Sequence, residues 1–230
     1  MSATDGGDKE AFYIIAKAPR PGFAKTRLGE EIGHERAAAL YRAFLRDLAA
    51  RFSGSEPGWY LTPPDALAEM RPLIGTPSTV LFQEEGDLTR RQRELFRLAA
   101  GRGEGRVVLA GADVPTLDAG IVRTAFGLLE DHDLVLGPTR DGGYYLIGMR
   151  DPGVALSRGV LDGVPMGTGC ELDDLARKAR GSELSVGWVE RLFDVDTVED
   201  LESLREVAGR GDLANTRAAL EVLGLSHEPG

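Results

Sequence analysis

Cysteine is almost absent from this chain of 230 residues, which contains only Cys170. One thiol excludes an internal disulfide and a multi-cysteine metal site, and it is typical of a reducing compartment. Long apolar runs are also missing, since none approaches the roughly 18 residues of a membrane-spanning helix. Residues 1–9 are polar and acidic rather than signal-like. These absences predict a cytoplasmic protein without a membrane span.

Positive charge is in deficit as well. The chain has 27 Lys and Arg against 37 Asp and Glu, a formal net charge of −10, and a pI near 4.9. Binding to nucleic acid depends on many Lys and Arg contacts with phosphate, so a general nucleic-acid surface is excluded. The 42% of apolar residues suffices for one large core. We expect one domain over residues 10–225, a disordered tail at 1–9 and a flexible C-terminus at 226–230.

Several familiar site signatures are missing. A P-loop requires glycine directly before Lys-Thr, whereas Ala24 precedes Lys25 here. The glycine triplet in residues 101–105 precedes its predicted strand, whereas a dinucleotide fingerprint follows one. There is no Gly-x-Ser-x-Gly elbow for a Ser-His-Asp hydrolase. The histidines are too scattered to indicate a zinc site: His34, His132 and His227.

The chain does contain a cationic segment, residues 16–28, after its first predicted strand. The segment has four cations and no acid: Lys17, Arg20, Lys25 and Arg27. The apolar run at 12–15 predicts a buried parallel strand, and an amphipathic helix is predicted to begin near Gly33. Ligands of open α/β sheets bind beyond the carboxyl ends of strands, so this loop predicts an anion site; Gly22 would allow close backbone approach. A solvated basic loop is the alternative.

Short apolar runs alternate with amphipathic stretches along the chain. This order predicts a three-layer α/β/α domain with a mainly parallel sheet. Residues 142–148 follow the run at 134–136 too closely for a crossover helix, so they should pair antiparallel, either at a sheet edge or as an inserted hairpin. The predicted strands lie near Phe12, Trp59, Thr79, Val107, Leu134 and Val186, and the helices near Ala37, Ala66, Leu95, Val122, Leu175, Leu201 and over 213–223.

Carboxylates follow three of these strands. Asp113 comes three residues after one strand, Asp141 follows the next, and Asp194 and Asp196 precede the penultimate helix. Mg²⁺ prefers one or two carboxylates together with phosphate oxygens and water, and Asp113 with Asp196 supplies that set; Mn²⁺ could replace it. A turn or cap role is the alternative for Asp113, and helix capping for part of residues 194–200. Asp118 is predicted to be an N-cap.

Five runs taken together resemble a known family: residues 17–22, 25–28, 111–116, 141–146 and 194–197. They resemble a bacterial and archaeal family of A-type glycosyltransferase-like proteins, which belongs with the nucleotide-diphospho-sugar transferases. The basic loop is also similar to that of the 2-phospholactate guanylyltransferases. The resemblance covers about residues 11–208 and implies the nucleotide-diphospho-sugar transferase fold.

The resemblance also implies roles for individual residues. Catalytic roles fall on Lys25 and Asp113, and the metal falls on Asp113 and Asp196. Our own hypothesis for the reaction adds Asp141 as a catalytic residue that positions an acceptor hydroxyl or accepts its proton. Nucleotide binding falls on Lys17, Gly22, Lys25, Arg27, Gln83, Gly86 and Asp87. Apart from the resemblance, we expect acceptor binding at Thr116, Gly142, Gly143 and Tyr144, with Tyr145 as the alternative to Tyr144. The chain departs from the family's pattern at residues 88–92.

These patterns predict a Mg²⁺-dependent transferase that moves a glycosyl or nucleotidyl group. The donor would be a nucleoside triphosphate or a nucleotide sugar, and the acceptor a small molecule. Fixed cations and a metal suit either reaction, because both build negative charge on the departing phosphates. The alternatives are a guanylyltransferase acting on a phosphorylated acid and a nucleotide-binding module without turnover. The oligomeric state stays open.

Overall fold

The computed structural model describes residues 9–165 and 167–226, so most of both predicted tails lies outside the described residues. Seven strands in the described part form one sheet, in the order β3-β2-β1-β4-β6-β5-β7. They are β1 (Glu10–Lys17), β2 (Gly58–Thr62), β3 (Val80–Phe82), β4 (Arg106–Gly111), β5 (Leu134–Pro138), β6 (Tyr144–Arg150) and β7 (Val186–Trp188).

Helices separate most of these strands. They are α1 (Thr26–Ile32), α2 (His34–Arg51), α3 (Leu67–Ile74), α4 (Leu88–Gly101), α5 (Ala119–Leu128), α6 (Pro152–Ser157), α7 (Glu171–Gly181), α8 (Asp200–Arg210) and α9 (Ala214–Val222). No helix in this part of the chain is long and apolar enough to cross a membrane.

The sheet is mixed. β1 pairs parallel with β2 and β4, while β6 runs antiparallel between β4 and β5. Residues 139–143 connect β5 to β6 and are too few for a crossover, so the two strands form a hairpin inside the sheet rather than at its edge. The predicted α/β fold class is confirmed. The carboxyl ends of β1 and β4 and the start of β6 meet at one edge.

Helices cover both faces of the sheet. Alternate residues of β1 face opposite sides: Phe12 and Ile14 join a core with α1, α2, α3, α5, α8 and α9, whereas Tyr13 joins a second core with α4, α6 and α7. The edge that carries the β1 and β4 ends therefore has α1 and α2 on one side and α4 on the other.

The basic segment differs from its prediction as a loop. α1 begins at Thr26, so Arg27 lies on its first turn. Gly33 ends α1 with a φ of 95°, a conformation that glycine adopts at little cost, and α2 starts at the next residue. The chain therefore makes two helices where the apolar pattern predicted only one, beginning near Gly33. The short helix α6 was also not predicted.

Asp133 lies just before β5 and connects it to its two neighbouring strands. Its carboxylate accepts hydrogen bonds from the Ser185 amide (2.9 Å) and hydroxyl (2.7 Å) and from the Arg150 guanidinium (2.7 Å). Burial alone would raise the pKa of Asp133, but these bonds outweigh burial and lower the pKa to about 2. The ionised form is therefore favoured in the folded protein.

Asp133→Asn is expected to lower the free energy of unfolding by about 1 kcal/mol at neutral pH, because partial exposure screens the ion pair. The folded-state pKa lies below the ordinary value of about 3.9, so the stabilisation is complete above about pH 4 and is lost as the pH falls toward about 2. Urea unfolding of both proteins at several pH values measures this. A difference that stays constant on acidification would contradict the assignment.

Candidate active site

A cavity of about 450 Å³ opens at the carboxyl ends of β1 and β4. Its lining comes from β1, α1, α2, α4, β4, β6 and the segment before α8. The structure brings eight of the predicted site residues to this lining: Lys17, Lys25, Arg27, Gln83, Gly86, Asp113, Tyr144 and Asp196. The other predicted site residues are not part of it: Gly22, Asp87, Thr116, Asp141, Gly142 and Gly143.

Lys25 occupies the centre of the charged side of the cavity. Its side chain is only 4% exposed, and Nζ lies 2.8 Å from Asp196 Oδ1 and 3.9 Å from Asp113 Oδ2. Burial alone would lower the Lys25 pKa, but the charges of Asp113 and Asp196 outweigh burial and raise it. The ring of Tyr41 lies 5.9 Å from the same ammonium. Lys25 therefore stays charged and holds the two carboxylates together.

The backbone at Lys25 supports this arrangement. Lys25 has a φ of 51°, in the left-handed region that residues with a Cβ rarely adopt, and α1 begins directly after it. Such conformations persist where surrounding contacts impose them, and they cluster at functional sites. The buried ammonium, paired with two carboxylates, supplies such contacts.

Asp113 and Asp196 line this side of the cavity, and Asp194 lies near them outside the lining. The charge of Lys25 lowers the Asp196 pKa against the effect of burial. Asp194 behaves in the opposite way: burial, followed by the charges of Asp113 and Asp141, raises its pKa to about 7. Sequence alternation left open whether Asp194 or Asp196 faces the site, and of these two residues Asp196 lines the cavity whereas Asp194 does not.

Asp200 fixes the backbone that carries Asp196. Its Oδ2 accepts hydrogen bonds from the amides of Asp196 (2.9 Å) and Thr197 (2.8 Å) and from the Thr197 hydroxyl (2.9 Å). The sequence predicted a capping role for part of residues 194–200. In the structure, the acceptor is Asp200, the first residue of α8, and the donors belong to residues that precede the helix. Asp118 caps α5 as predicted, accepting from the Ile121 amide at 2.9 Å.

The four cations of the basic segment have separate environments. Arg20 pairs with Asp65 (3.1 Å) and Glu69 (2.5 Å), and Lys25 pairs with the aspartates of the cavity. Within the described residues, Lys17 and Arg27 have no carboxylate within 4.0 Å, and both line the cavity. Lys17 and Arg27 are therefore the two cations of this segment whose charge no described carboxylate balances.

The predicted nucleotide-binding residues Gln83 and Asp87 also have different environments. Gln83 is buried, and its amide donates to the carbonyl oxygens of Ala16 (3.1 Å) and Tyr60 (2.7 Å) while its Oε1 accepts from Arg91 Nη1 (3.1 Å). Its polar atoms thus hold β1, β2 and α4 together at the cavity. Asp87 caps α4, since its carboxylate accepts from the backbone amide three residues later at 2.8 Å.

Asp141 lies at the β5–β6 turn. Its Oδ1 accepts hydrogen bonds from the Thr139 hydroxyl (2.5 Å) and the Gly143 amide (3.1 Å). Gly142 has a φ of 92°, and a Cβ there would lie 2.0 Å from the carbonyl oxygen of Gly169. The two glycines therefore allow close packing of the turn, and Asp141 anchors it from outside the cavity.

The remaining two predicted site residues, Gly22 and Thr116, lie in turns outside the cavity lining. Gly22 has a φ of 72° in the turn that leads into α1. The Thr116 hydroxyl is buried and has no hydrogen-bond partner among the described residues. The segment around Thr116 is held by Arg51, whose Nη1 donates to the carbonyl oxygens of Pro115 and Leu117 at 2.7 Å each. Arg51 thereby supports the segment that presents Asp113.

The opposite side of the cavity is formed by α4 and the start of β6. The Tyr144 hydroxyl donates to Gln92 Oε1 at 2.7 Å, and burial raises the Tyr144 pKa, so the hydroxyl keeps its proton. Gln92 and Arg91 line the cavity beside it. Sequence reasoning missed both as site residues. The position of Arg91 and Gln92 within the amphipathic helix α4 was the sequence signal for an inward orientation. Helical spacing does not show whether an inward face meets the core or a cavity.

The similarity to a guanylyltransferase, together with the fold, shows a transferase of the nucleotidyltransferase-like class. Residues 48–168 match the family described as "Uncharacterized protein conserved in bacteria (DUF2064)", and the chain belongs to that family. It is 31% identical over 203 residues to the 3-phospho-D-glycerate guanylyltransferase of Phenylobacterium zucineum (strain HLK1), covering 81% of this chain and 87% of the relative. The resemblance inferred from the five motifs is confirmed.

Solved structures agree with this assignment. A crystal structure assigned to the nucleotide-diphospho-sugar transferases, from Desulfovibrio desulfuricans G20, has a TM-score of 0.81 and 29% identity, covering 94% of this chain and 97% of the other. A cytidylyltransferase from Leptospira borgpetersenii has a TM-score of 0.58 and 14% identity, covering 96% and 98%. The second similarity concerns the fold alone.

Proposed function

We propose that this protein transfers a nucleotidyl group from a nucleoside triphosphate to a small phosphorylated acceptor. The observation that carries the proposal is the phosphate wall, which we define as Lys17, Lys25, Arg27, Asp113 and Asp196 on one side of the cavity. Two cations that pair with no carboxylate in the described part of the chain, beside a lysine-linked pair of carboxylates, suit a polyphosphate with a divalent cation. The guanylyltransferase relative favours nucleotidyl over glycosyl transfer.

The reaction breaks one bond and forms one. An oxygen of the acceptor phosphate attacks the α-phosphorus of the triphosphate, the α–β bridging bond breaks, and pyrophosphate leaves with the bonding electrons. A phosphate monoester is already ionised near neutral pH, so this acceptor needs no general base. That is consistent with a structural role for Asp141. Lys17 and Arg27 bind the β- and γ-phosphates and stabilise the charge that develops on pyrophosphate.

The donor set of the phosphate wall fits Mg²⁺ or Mn²⁺. Asp113 and Asp196 both lie near the Lys25 ammonium, at 3.9 and 2.8 Å, so the two carboxylates are close enough to each other to contribute to one cation site beside it. In the described residues no three His, Cys, Asp or Glu side chains form a metal site by themselves, which is compatible with a Mg²⁺ site completed by phosphate oxygens and water. Bound there, the metal would neutralise phosphate charge.

The substrates are inferred from the relative. We take guanosine triphosphate as the donor and 3-phosphoglycerate as the first acceptor to test, because the relative's name specifies both groups. Pyrophosphate release from each of the four nucleoside triphosphates, with and without 3-phosphoglycerate and Mg²⁺, tests the proposal. Release that depends on the acceptor supports it. Nucleotide binding without pyrophosphate release would favour the binding module, and transfer from a nucleotide sugar would favour the glycosyltransferase.

Arg27→Gln is expected to raise the KM for the nucleotide about tenfold to a hundredfold, because a charge-assisted hydrogen bond to phosphate is lost. Arg20→Gln is the matched control from the same segment, since Arg20 already pairs with Asp65 and Glu69. The control should keep its KM within about twofold, as an exposed pair contributes little. Initial rates over a range of nucleotide concentrations measure both. Equal nucleotide KM values in the two variants would remove Arg27 from phosphate binding.

A further inference from the structure

A second polar surface lies in the same cavity, opposite the phosphate wall. We call it the α4 wall and define it as Arg91, Gln92 and Tyr144. α4 packs on the face of the sheet that carries the second core, whereas α1 and α2 pack on the other face. The two walls therefore face a ligand from opposite sides of the β1 and β4 ends.

The α4 wall presents donors to the cavity. Gln92 is 4% exposed, and its Oε1 is already used as the acceptor for the Tyr144 hydroxyl at 2.7 Å. Its amide nitrogen has no hydrogen-bond partner within residues 9–165 and 167–226, although each of its two N–H groups can donate. Gln92 Nε2 is not among the fully enclosed atoms without a partner in this part of the chain, so it reaches the cavity and can donate to a ligand there.

Arg91 adds a positive charge to the same surface. Its Nη1 donates to Gln83 Oε1 at 3.1 Å, and Gln83 is itself held by two backbone carbonyls, so the guanidinium has a fixed orientation. Across the part of the chain that the structure describes, no carboxylate lies within 4.0 Å of Arg91, and the residue lines the cavity. A partly buried cation without a counter-charge favours an anionic ligand.

We propose that Arg91 and the Gln92 amide bind the carboxylate of the acceptor. This inference rests on the proposed function, which assigns the nucleotide phosphates to the phosphate wall. An acceptor that carries a phosphate and a carboxylate spans the cavity, with its phosphate toward the phosphate wall and its carboxylate on the α4 wall. A planar carboxylate matches the guanidinium and amide donors. Arg91 and Gln92 are thus specificity-determining residues.

The test compares 3-phosphoglycerate with glycerol 3-phosphate, in which a neutral hydroxymethyl group replaces the carboxylate. The parent should use 3-phosphoglycerate better by about tenfold to a hundredfold in kcat/KM, the range expected for hydrogen bonds to a charged group. Arg91→Gln should reduce this preference to within about threefold and leave the KM for guanosine triphosphate within about twofold. Gln92→Glu, which places a carboxylate there, should also abolish the preference.

Arg90→Gln is the matched control on the same helix. The Arg90 side chain is 65% exposed and lies 3.8 Å from Glu84, and it is not part of the cavity lining. It should keep the parent's preference. If Arg91→Gln weakens both acceptors equally, or weakens the nucleotide instead, the α4 wall does not bind the carboxylate. Melting temperatures within a few degrees of the parent separate these outcomes from loss of the fold.

Direct calorimetric titration of 3-phosphoglycerate separates this inference from the proposed function. If no nucleotide yields product but 3-phosphoglycerate binds the parent and not Arg91→Gln, the reaction is wrong and the carboxylate site stands. If the parent turns over while both proteins bind the acid equally, the reaction stands and the carboxylate site is wrong. If the parent fails to bind the acid, the carboxylate site is likewise wrong.

Discussion

Asp196→Asn is expected to lower turnover by at least about a hundredfold. Loss of even an outer-shell partner of a bound metal typically costs tenfold to a hundredfold, and Asp196 is proposed as a direct ligand. The substitution also replaces the carboxylate that lies 2.8 Å from the buried Lys25 ammonium by a neutral amide. Asp113, at 3.9 Å, then remains as the carboxylate that pairs with Lys25. Pyrophosphate release measured over a range of Mg²⁺ concentrations should show a higher Mg²⁺ requirement as well as a lower maximal rate.

Asp113→Asn provides the comparison. It should impair turnover to a similar degree but change the melting temperature less, because Asp113 lies farther from Lys25 than Asp196 does. Asp133→Asn is the control for a carboxylate outside the cavity and should keep the parent's Mg²⁺ dependence. Normal turnover of Asp113→Asn and Asp196→Asn at the parent's Mg²⁺ concentration would leave both residues as partners of Lys25 only.

Asp47→Ala is expected to lower the free energy of unfolding by about 3 kcal/mol or more. Asp47 on α2 is 3% exposed, and its carboxylate accepts four hydrogen bonds from the start of α9. The donors are the amide and side chain of Asn215 (2.9 and 2.8 Å) and the amide and hydroxyl of Thr216 (2.8 and 2.6 Å). Removing the acceptor leaves buried donors without partners, which costs more than the bonds themselves contribute.

The expected loss corresponds to a melting temperature about 6–12 °C below that of the parent for a chain of this size. Urea unfolding at 25 °C measures the free energy directly. Asp212→Ala is the matched control, because Asp212 is an exposed aspartate in the same α8–α9 connection and should change stability by no more than about 0.5 kcal/mol. Equal effects of the two substitutions would show that α9 does not depend on Asp47.

Most of the order of elements and the place of the candidate site could be predicted from local patterns. Alternation of apolar runs and amphipathic stretches predicts the α/β fold, because a parallel pair of strands needs a crossover helix. The five residues between β5 and β6 leave no room for one, which predicts the antiparallel hairpin. Lys25 and Asp113 follow different strands of this sheet, and parallel strands bring their carboxyl ends to one edge.

Only the tertiary structure decided which of these side chains pair. Arg20 and Arg27 are alike in the sequence, yet Arg20 turns to Glu69 and Arg27 lines the cavity. Lys25 contacts Asp196 across 171 positions of the chain. Local composition does not encode the direction of a side chain or the identity of a distant partner, because both depend on how the elements pack.

The sequence by itself determined the chemical types present at the sheet edge: cations after β1 and carboxylates after β4 and before α8. The packing of α4 against the second core decided that Arg91 and Gln92 reach the cavity, and the packing of α9 against α2 decided that Asp47 is an anchor. A helical repeat shows that one face is buried; whether that face meets apolar core, a cavity or another helix follows only from tertiary packing.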